Sequence, residues 1–503
     1  MSEDKYIFFY DESEHSRSIT KETINARNFA NNFVVAIIGY KFNDSQNIET
    51  QYIKLEESYK KFFNVDELKS TIIKKSKYIH GLKSIKDNDL SLVSDVFKFA
   101  NEVNLQLYIS VQNKIEYVIN QMLCDYDNDL FVDADSMRYS VSKLINMYMP
   151  QNVIEAIYIN DGSFIAELTN FLKSLLDLNK NNPNKINENP AIEQLLILLE
   201  TYDKDFVINW NYKFSFAGFN LFLKERRIKD LSLVIDKEGN GNTLESAKFE
   251  SFIDAVDVDS NSCVGVRIAD MIAGVVSRFI VSLHNSLSYK DINDGRNLKF
   301  LGEEWFDIDK KRFDCYKLIK KVIIDLNISW YKTYCSQYSD DFLYFIALLN
   351  YFDSFQSYEE FKKMPIEDHP FRLNGGAIEM LKERLTIIQS KLKIDPIDVN
   401  PKESEYYYNQ RGAKCFFDYN KQEELKISST GNRYLVLSVG FFGNMEKACV
   451  TIDDKGKPVC YLLPDGLKEW AITCVAMANR GVNLFPSKVL FNKINNKYYA
   501  DVE

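Results

Sequence analysis

Four carboxylates stand out by type and position: Asp11, Glu67, Asp236 and Asp270. Asp11 follows the apolar run KYIFFY, Lys5 to Tyr10, and Asp236 closes the hydrophobic run Leu231 to Ile235. Asp270 is the acid within the apolar phrase Ile268-Ala269-Asp270-Met271-Ile272-Ala273-Gly274. A carboxylate buried without a partner is costly in free energy, or it takes up a proton and becomes neutral. Acids at the ends of buried strands and on an apolar helix therefore call for a positive partner, and a divalent metal is the usual one.

The elements that must position these acids can be read from hydropathy. Lys5 to Tyr10 and Phe33 to Tyr40 (FVVAIIGY) predict strands, the second apolar on both faces and so central. Leu105 to Val111 and Leu231 to Ile235 predict two more. Glu67 is expected at a helix start, ahead of a lysine-rich segment with Lys74, Lys75 and Lys77 on a solvated helix face. The apolar spacing around Asp270 predicts a helix up to Ile280. Val153 to Asn160 reads as a strand, which makes Asp161 a rival to Asp236 as the strand-end acid. For Asp270 the alternative is a core acid paired with Arg267 or Arg278.

A mixed sheet carrying separated acids in this order follows the ribonuclease-H-like plan. Residues of about 4–280 resemble a bacterial family of uncharacterised ribonuclease-H-like proteins. Its members open with a strand and DES(G), carry a Glu-x-Lys element, then a strand ending in Asp, and close with a QxADxxAG-type helix. The corresponding residues are Asp11-Glu12-Ser13, Glu67-Leu68-Lys69, Val234-Ile235-Asp236 and Val266 to Gly274. The spacing to the closing helix favours Asp236 over Asp161. Glu14 stands where Gly often follows DES, and Val266 where the closing motif usually has Gln.

What the resemblance implies is a divalent-metal-dependent nuclease. Phosphodiester hydrolysis needs an activated water and neutralised charge on the leaving oxygen, which two Mg²⁺ or Mn²⁺ ions about 3.5–4 Å apart supply. Hard cations take oxygen ligands, so Asp11 would bridge, with Glu67, Asp236 and Asp270 completing the set. Lys69, Arg226 and Arg227 would hold the phosphates of an RNA or DNA substrate. The family setting implies an effector in bacterial anti-phage defence. A different class is also expected to fit: a non-catalytic module of the same fold that binds nucleic acid or protein, its acids only structural.

Composition bounds these readings. The 503 residues carry 62 Lys and Arg against 72 Asp and Glu, a net charge of −10. That argues against a surface built for bulk nucleic-acid binding, though not against a local basic groove. The 8 cysteines form no CxxC pair and read as reduced thiols. The 4 histidines have no zinc-ligand spacing. The opening residues lack the regions of a signal peptide, and no membrane-length apolar run occurs. The expectation is a cytoplasmic, non-membrane protein, with a homo-oligomer or a regulatory partner allowed. It would comprise a ribonuclease-H-like domain, 1–284, with a helical insertion at 125–205. A helical region, 285–394, a linker at about 394–408 and a C-terminal α+β domain, 409–503, would follow. The aromatics between Tyr331 and Phe352 read as core.

Overall fold

The structure is a computed structural model. It describes the chain except residues 1–4, 14–17, 25–29, 125, 127–133, 184, 201, 203–205, 212, 238–241, 288–299, 330, 390–405, 409–413, 417–421, 443–446, 479–483 and 495–496. The loop expected at Gly239–Gly241 and most of the expected linker lie outside the described residues. Two compact units result: 1–222 with 228–384, and 223–227 with 385–503.

The first unit opens with β1 (Tyr6–Ser13), α1 (Lys21–Ile24) and β2 (Asn32–Lys41), followed by α2 (Ser45–Phe63), α3 (Asp87–Glu102) and β3 (Gln106–Asn113). Next come α4 (Lys114–Met122), α5 (Ala134–Tyr148), α6 (Gln151–Ile159), α7 (Phe164–Asn179) and α8 (Asn189–Glu200). The chain then returns through α9 (Lys213–Arg226), β4 (Leu231–Asp236), α10 (Asn242–Phe249), β5 (Val256–Val258) and α11 (Val264–Ser286). It continues with α12 (Lys310–Lys320), β6 (Thr333–Cys335), α13 (Asp340–Asp353), α14 (Tyr358–Lys363) and α15 (Asp368–Gln389).

The strands form one mixed six-stranded sheet, ordered β5-β4-β1-β2-β3-β6. β1–β2 and β2–β3 are antiparallel, while β1–β4, β4–β5 and β3–β6 are parallel. Side chains alternate across the sheet. Phe9, Val34, Ala36, Ile38, Ile109 and Val234 pack beneath α11 in one core. On the opposite face Phe8 and Tyr10 meet Phe219 and Phe216 of α9. α11 can lie close to β1 because Gly265 has no side chain; a Cβ there would come within 2.3 Å of the Phe9 ring.

Three expectations need correction. β1 does not end at Asp11 but runs through Ser13, pairing Asp11 with Ala36. Val153 to Asn160 is helix α6: Val153, Ile154, Ala156 and Ile157 are buried at helical spacing, and Asn160 ends the helix with a φ of 55°. The region 285–394 is not separate, since residues as far as 384 belong to the first unit and β6 extends its sheet beside β3. Helices α5 to α8 occupy the expected insertion and build a core of their own around Leu168, Leu172, Leu195 and Ile157. Among the described residues no helix is long and apolar enough to cross a membrane.

β3 passes into α4 through Asn113, whose side chain accepts the Ile115 and Glu116 amides at 3.0 and 3.1 Å. Glu116 is fully buried and accepts the Tyr338 amide at 2.7 Å and the Ser336 hydroxyl. Burial pushes its carboxyl up to about 8, against the pull of those donors and Arg384. A value raised on folding contributes stability that is whole below the ordinary Glu value of 4.5 and lost as pH rises through about 8. Wild type should therefore lose up to about 1.4 kcal/mol per pH unit between about pH 4.5 and 8, and nothing further from this source above that range. Glu116→Gln, which keeps an acceptor and cannot ionise, should be flat from this source; urea denaturation at pH 5, 6, 7 and 9 checks it.

The second unit contains β7 (Tyr406–Tyr408), β8 (Lys414–Phe416), β9 (Asn432–Phe442), β10 (Lys447–Asp454), β11 (Lys457–Leu462), α16 (Lys468–Ala478), β12 (Ser487–Ile494) and β13 (Lys497–Val502). Its main path is β11-β10-β9-β12-β13, antiparallel throughout, with β8 added parallel to β9. Val436, Val450, Val489 and Phe491 pack against Leu467, Ala471 and Val475. This is the α+β arrangement expected for the C-terminal part.

Candidate functional site

Asp11 and Asp236 come from neighbouring parallel strands. One residue beyond the last β1–β4 pair, Tyr10 with Ile235, the strands carry the two acids side by side, about 4.8 Å apart across the sheet. Alternation puts Asp11 on the face of Phe9, the face covered by α11. Asp11 is 6% exposed. Among the described residues its carboxylate accepts one hydrogen bond, from the Glu12 amide to Oδ1 at 2.6 Å; Oδ2 accepts none. Burial first, then the Asp270 and Asp236 charges, hold this carboxyl well above the ordinary carboxylate range, and the Glu12 amide only partly offsets them. The charges of Asp236 and Asp270 therefore act on Asp11.

Asp270 reaches the same place from α11. Its Oδ2 accepts the Ser70 amide and its Oδ1 the Ser70 hydroxyl, both at 2.7 Å. Burial raises its pKa; the Ser70 bonds and the Arg278 and Lys69 charges reduce the rise without removing it. One turn on, Gly274 leaves room for Ser70, since a Cβ there would lie 2.2 Å from the Ser70 Cβ. One further turn on, Arg278 Nε donates to the Ile73 carbonyl at 2.5 Å. Asp270, Gly274 and Arg278 thus fasten the segment 67–73 to one stripe of α11. Neither arginine weighed as a core partner of Asp270 hydrogen-bonds to it in this arrangement: Arg267 is bound to Glu56 and Arg278 to a backbone carbonyl.

Glu67 lies in a bend between α2 and a short 3₁₀ turn, Ser70–Ile72, and not at a helix start. The segment takes its shape from its bonds to α11 rather than from a helix of its own. Glu67 Oε1 accepts the Ser260 hydroxyl at 3.2 Å, and Oε2 pairs with Lys69 Nζ at 3.0 Å. The Glu67 hydrogen bond, aided by the Glu67, Asp270 and Asp236 charges, raises the Lys69 pKa against partial burial. The Lys69 ammonium pairs with Glu67 on a side chain that is half exposed.

The other candidates lie elsewhere. Asp161 follows α6, is exposed, and accepts the Ser163 amide and hydroxyl at 3.0 and 2.6 Å, which lower its pKa. It is a turn acid, and Asp236 is the acid beside Asp11. Arg226 ends α9 and Arg227 follows with a φ of 58°. Both belong to the second unit, whereas the acids belong to the first. Lys75 to Lys77 is a 3₁₀ turn rather than a helix face, and Lys77 pairs with buried Asp89 at 2.9 Å. Ser70 was not anticipated, nor was Arg278 as the donor to the Ile73 carbonyl. The small residues of Ala273-Gly274 were the available signal, because they mark where a chain segment approaches α11.

Four oxygen-donor acids, one of them buried with an oxygen that accepts no hydrogen bond, suit a hard divalent cation in kind. Among the described residues, no three His, Cys, Asp or Glu side chains already stand grouped as the ligands of an ion. Asp270 and Glu67 have their oxygens engaged by Ser70, Ser260 and Lys69. Comparison with protein-family models, curated proteins and solved structures gives no match to this chain.

Proposed function

We propose that the first unit is a divalent-metal-dependent nuclease of ribonuclease-H-like fold, with Asp11, Glu67, Asp236 and Asp270 holding Mg²⁺ or Mn²⁺. The observation that carries this reading is Asp11: buried, held by one hydrogen bond, and facing the charges of Asp236 and Asp270. The mixed sheet is compatible with it: β1, β2 and β3 are antiparallel neighbours, β4 and β5 continue beside β1 in parallel, and β6 lies parallel to β3. When bound, the metal supplies an activated water and neutralises the departing oxygen. The chain's own part is to fix the acids on rigid elements. β1 and β4 set Asp11 beside Asp236, α11 carries Asp270, and Asp270 holds Ser70, three residues from Glu67 and next to Lys69. Lys69 provides a positive charge for a phosphate despite the acidic balance of the chain. The anti-phage setting rests on the family resemblance alone.

The test is cleavage of RNA and DNA panels with Mg²⁺ or Mn²⁺ by wild type, Asp11→Ala and Asp270→Ala. Loss in both variants is expected; equal cleavage by all three removes the nuclease reading. One observation favours a non-catalytic binding module instead: both Asp270 oxygens are already bonded to Ser70, as a structural acid's would be. Thermal unfolding with Mn²⁺ separates the two. A metal at about 100 times its Kd should add about 2.7 kcal/mol of stability, and the module predicts no shift.

A further inference from the structure

The main sheet of the second unit is finished differently at its two ends. At one end β11 is covered: Leu425 donates its amide to the Leu462 carbonyl, and Leu462 its amide to the Glu423 carbonyl, both at 2.8 Å. At the other end stands β13, and among the described residues no strand lies beyond it. Glu503 donates its amide to the Lys488 carbonyl at 2.8 Å, so its backbone faces β12. Alternation along the ladder turns Lys497, Tyr499 and Asp501 the same way. The backbone groups of Tyr498, Ala500 and Val502 therefore point out of the sheet, and none of them bonds to another described residue. An edge of this kind is usually blunted by a proline, a bulge or a cover. β13 pairs with β12 in unbroken register, contains no proline and has no buried residue.

We infer that β13 is a homodimer interface, to which a second copy of the chain adds its own β13, antiparallel, about a two-fold axis at Ala500. The inference concerns the second unit alone and is independent of the nuclease reading. In this register the strand is complementary to itself. Ala500 stands opposite the second copy's Ala500, and Tyr498 opposite the second copy's Val502. The three outward residues of one strand thus meet the three of the other, and each pair can exchange two hydrogen bonds. Lys497 falls opposite the second copy's Glu503, and the two-fold axis makes that pair twice. Within the subunit Glu503 also pairs with Arg433 at 2.9 Å on exposed surface, a contact worth little by itself. The register covers apolar surface as well. Tyr498 and Ala500 pack on the core beneath α16. Val502 follows on the same face and is 39% exposed. Beside the second copy's Tyr498 it carries that core across the axis.

The experiment is sedimentation velocity of the full chain across a micromolar concentration range. It compares wild type, Lys497→Glu, Glu503→Lys, an equal mixture of those two variants, and Ala500→Pro. Wild type should sediment as a dimer that dissociates on dilution. Either charge variant alone sets like charges opposite each other at both symmetric pairs and should weaken the dimer roughly 10- to 100-fold. Mixing the two variants makes both pairs opposite in charge again and should restore the dimer. Ala500→Pro removes an amide that points out of the sheet, so the subunit keeps its own ladder. It should be monomeric, with an unfolding midpoint close to that of wild type. Wild type that stays monomeric throughout overturns the inference. So does a dimer that survives Ala500→Pro and both charge variants, because association would then run through another surface. Loss of the dimer in the charge variants without recovery on mixing overturns the pairing of Lys497 with Glu503, and the register with it.

Discussion

Asp11→Ala is expected to lower Mn²⁺-dependent cleavage by about 10²–10⁴-fold, since a metal ion contributes several kcal/mol to such a transition state and each 1.36 kcal/mol is about tenfold. Asp11 lies beside Asp236 on a central strand, with antiparallel β2 on one side and parallel β4 on the other. A ligand from another part of the chain could not take its place without moving a central strand. The same residue should show the opposite sign in stability. Burial and like charges hold its folded-state pKa above the ordinary Asp value of 3.8. Its favourable contribution is whole below that value and lost as pH rises through the folded one. At pH 7 without metal, Asp11→Asn should therefore be more stable than wild type, by about 1–3 kcal/mol, because it removes a carboxyl that burial and like charges disfavour in its ionised form. Urea unfolding and a cleavage assay on the same preparation read both effects. Asp270→Ala should also lose activity but should be less stable than wild type, because it releases Ser70.

The largest loss of stability is expected from Glu56→Ala. Arg267 donates from Nε and Nη2 to Glu56 Oε1 and Oε2 at 2.8 and 2.9 Å, with both side chains almost fully buried. Removing the acid leaves a guanidinium buried in an apolar setting, which costs about 3–5 kcal/mol. The effect should reach the site. Arg267 Nη1 also donates to the Ser260 and Asn261 carbonyls at 3.0 and 3.1 Å, and Ser260 in turn holds Glu67. Glu56→Ala should thus weaken Mn²⁺ binding as well as lower the urea midpoint. Replacing both partners, Glu56→Leu with Arg267→Met, should recover much of the lost stability, because no buried charge is then left unpaired.

The central strands were legible because β1 to β4 are long apolar runs, and the acids at their ends could be picked out by position. β5 and β6 were not legible. Each is a three-residue strand, Val256–Val258 and Thr333–Cys335, too short to show a period and defined only by its neighbour. Without β6, residues past 285 read as a separate region, although they finish the sheet. α6 was misread because Val153 to Ile159 is rich in β-branched residues, and only the i, i+4 burial of Val153 and Ile157 distinguishes it. Asp236 and Asp270 could be placed because a strand end and a helix stripe fix where a side chain goes, whereas Asp11 lies within β1 and not at its end. Glu67 could be named but not placed, since its bend is set by Ser70 and Arg278 contacts 200 or more residues away in sequence. Ser70 itself carries no local mark that separates it from any other serine.

The central claim is that these acids hold a divalent metal, and anomalous scattering from Mn²⁺-soaked crystals tests it most directly. A peak at about 2.1 Å from an Asp11 carboxylate oxygen, with Asp236 and Asp270 turned towards it, is the result expected. Crystals that show Mn²⁺ elsewhere on the protein, with no peak at Asp11 and the Asp270–Ser70 latch unchanged, would contradict it.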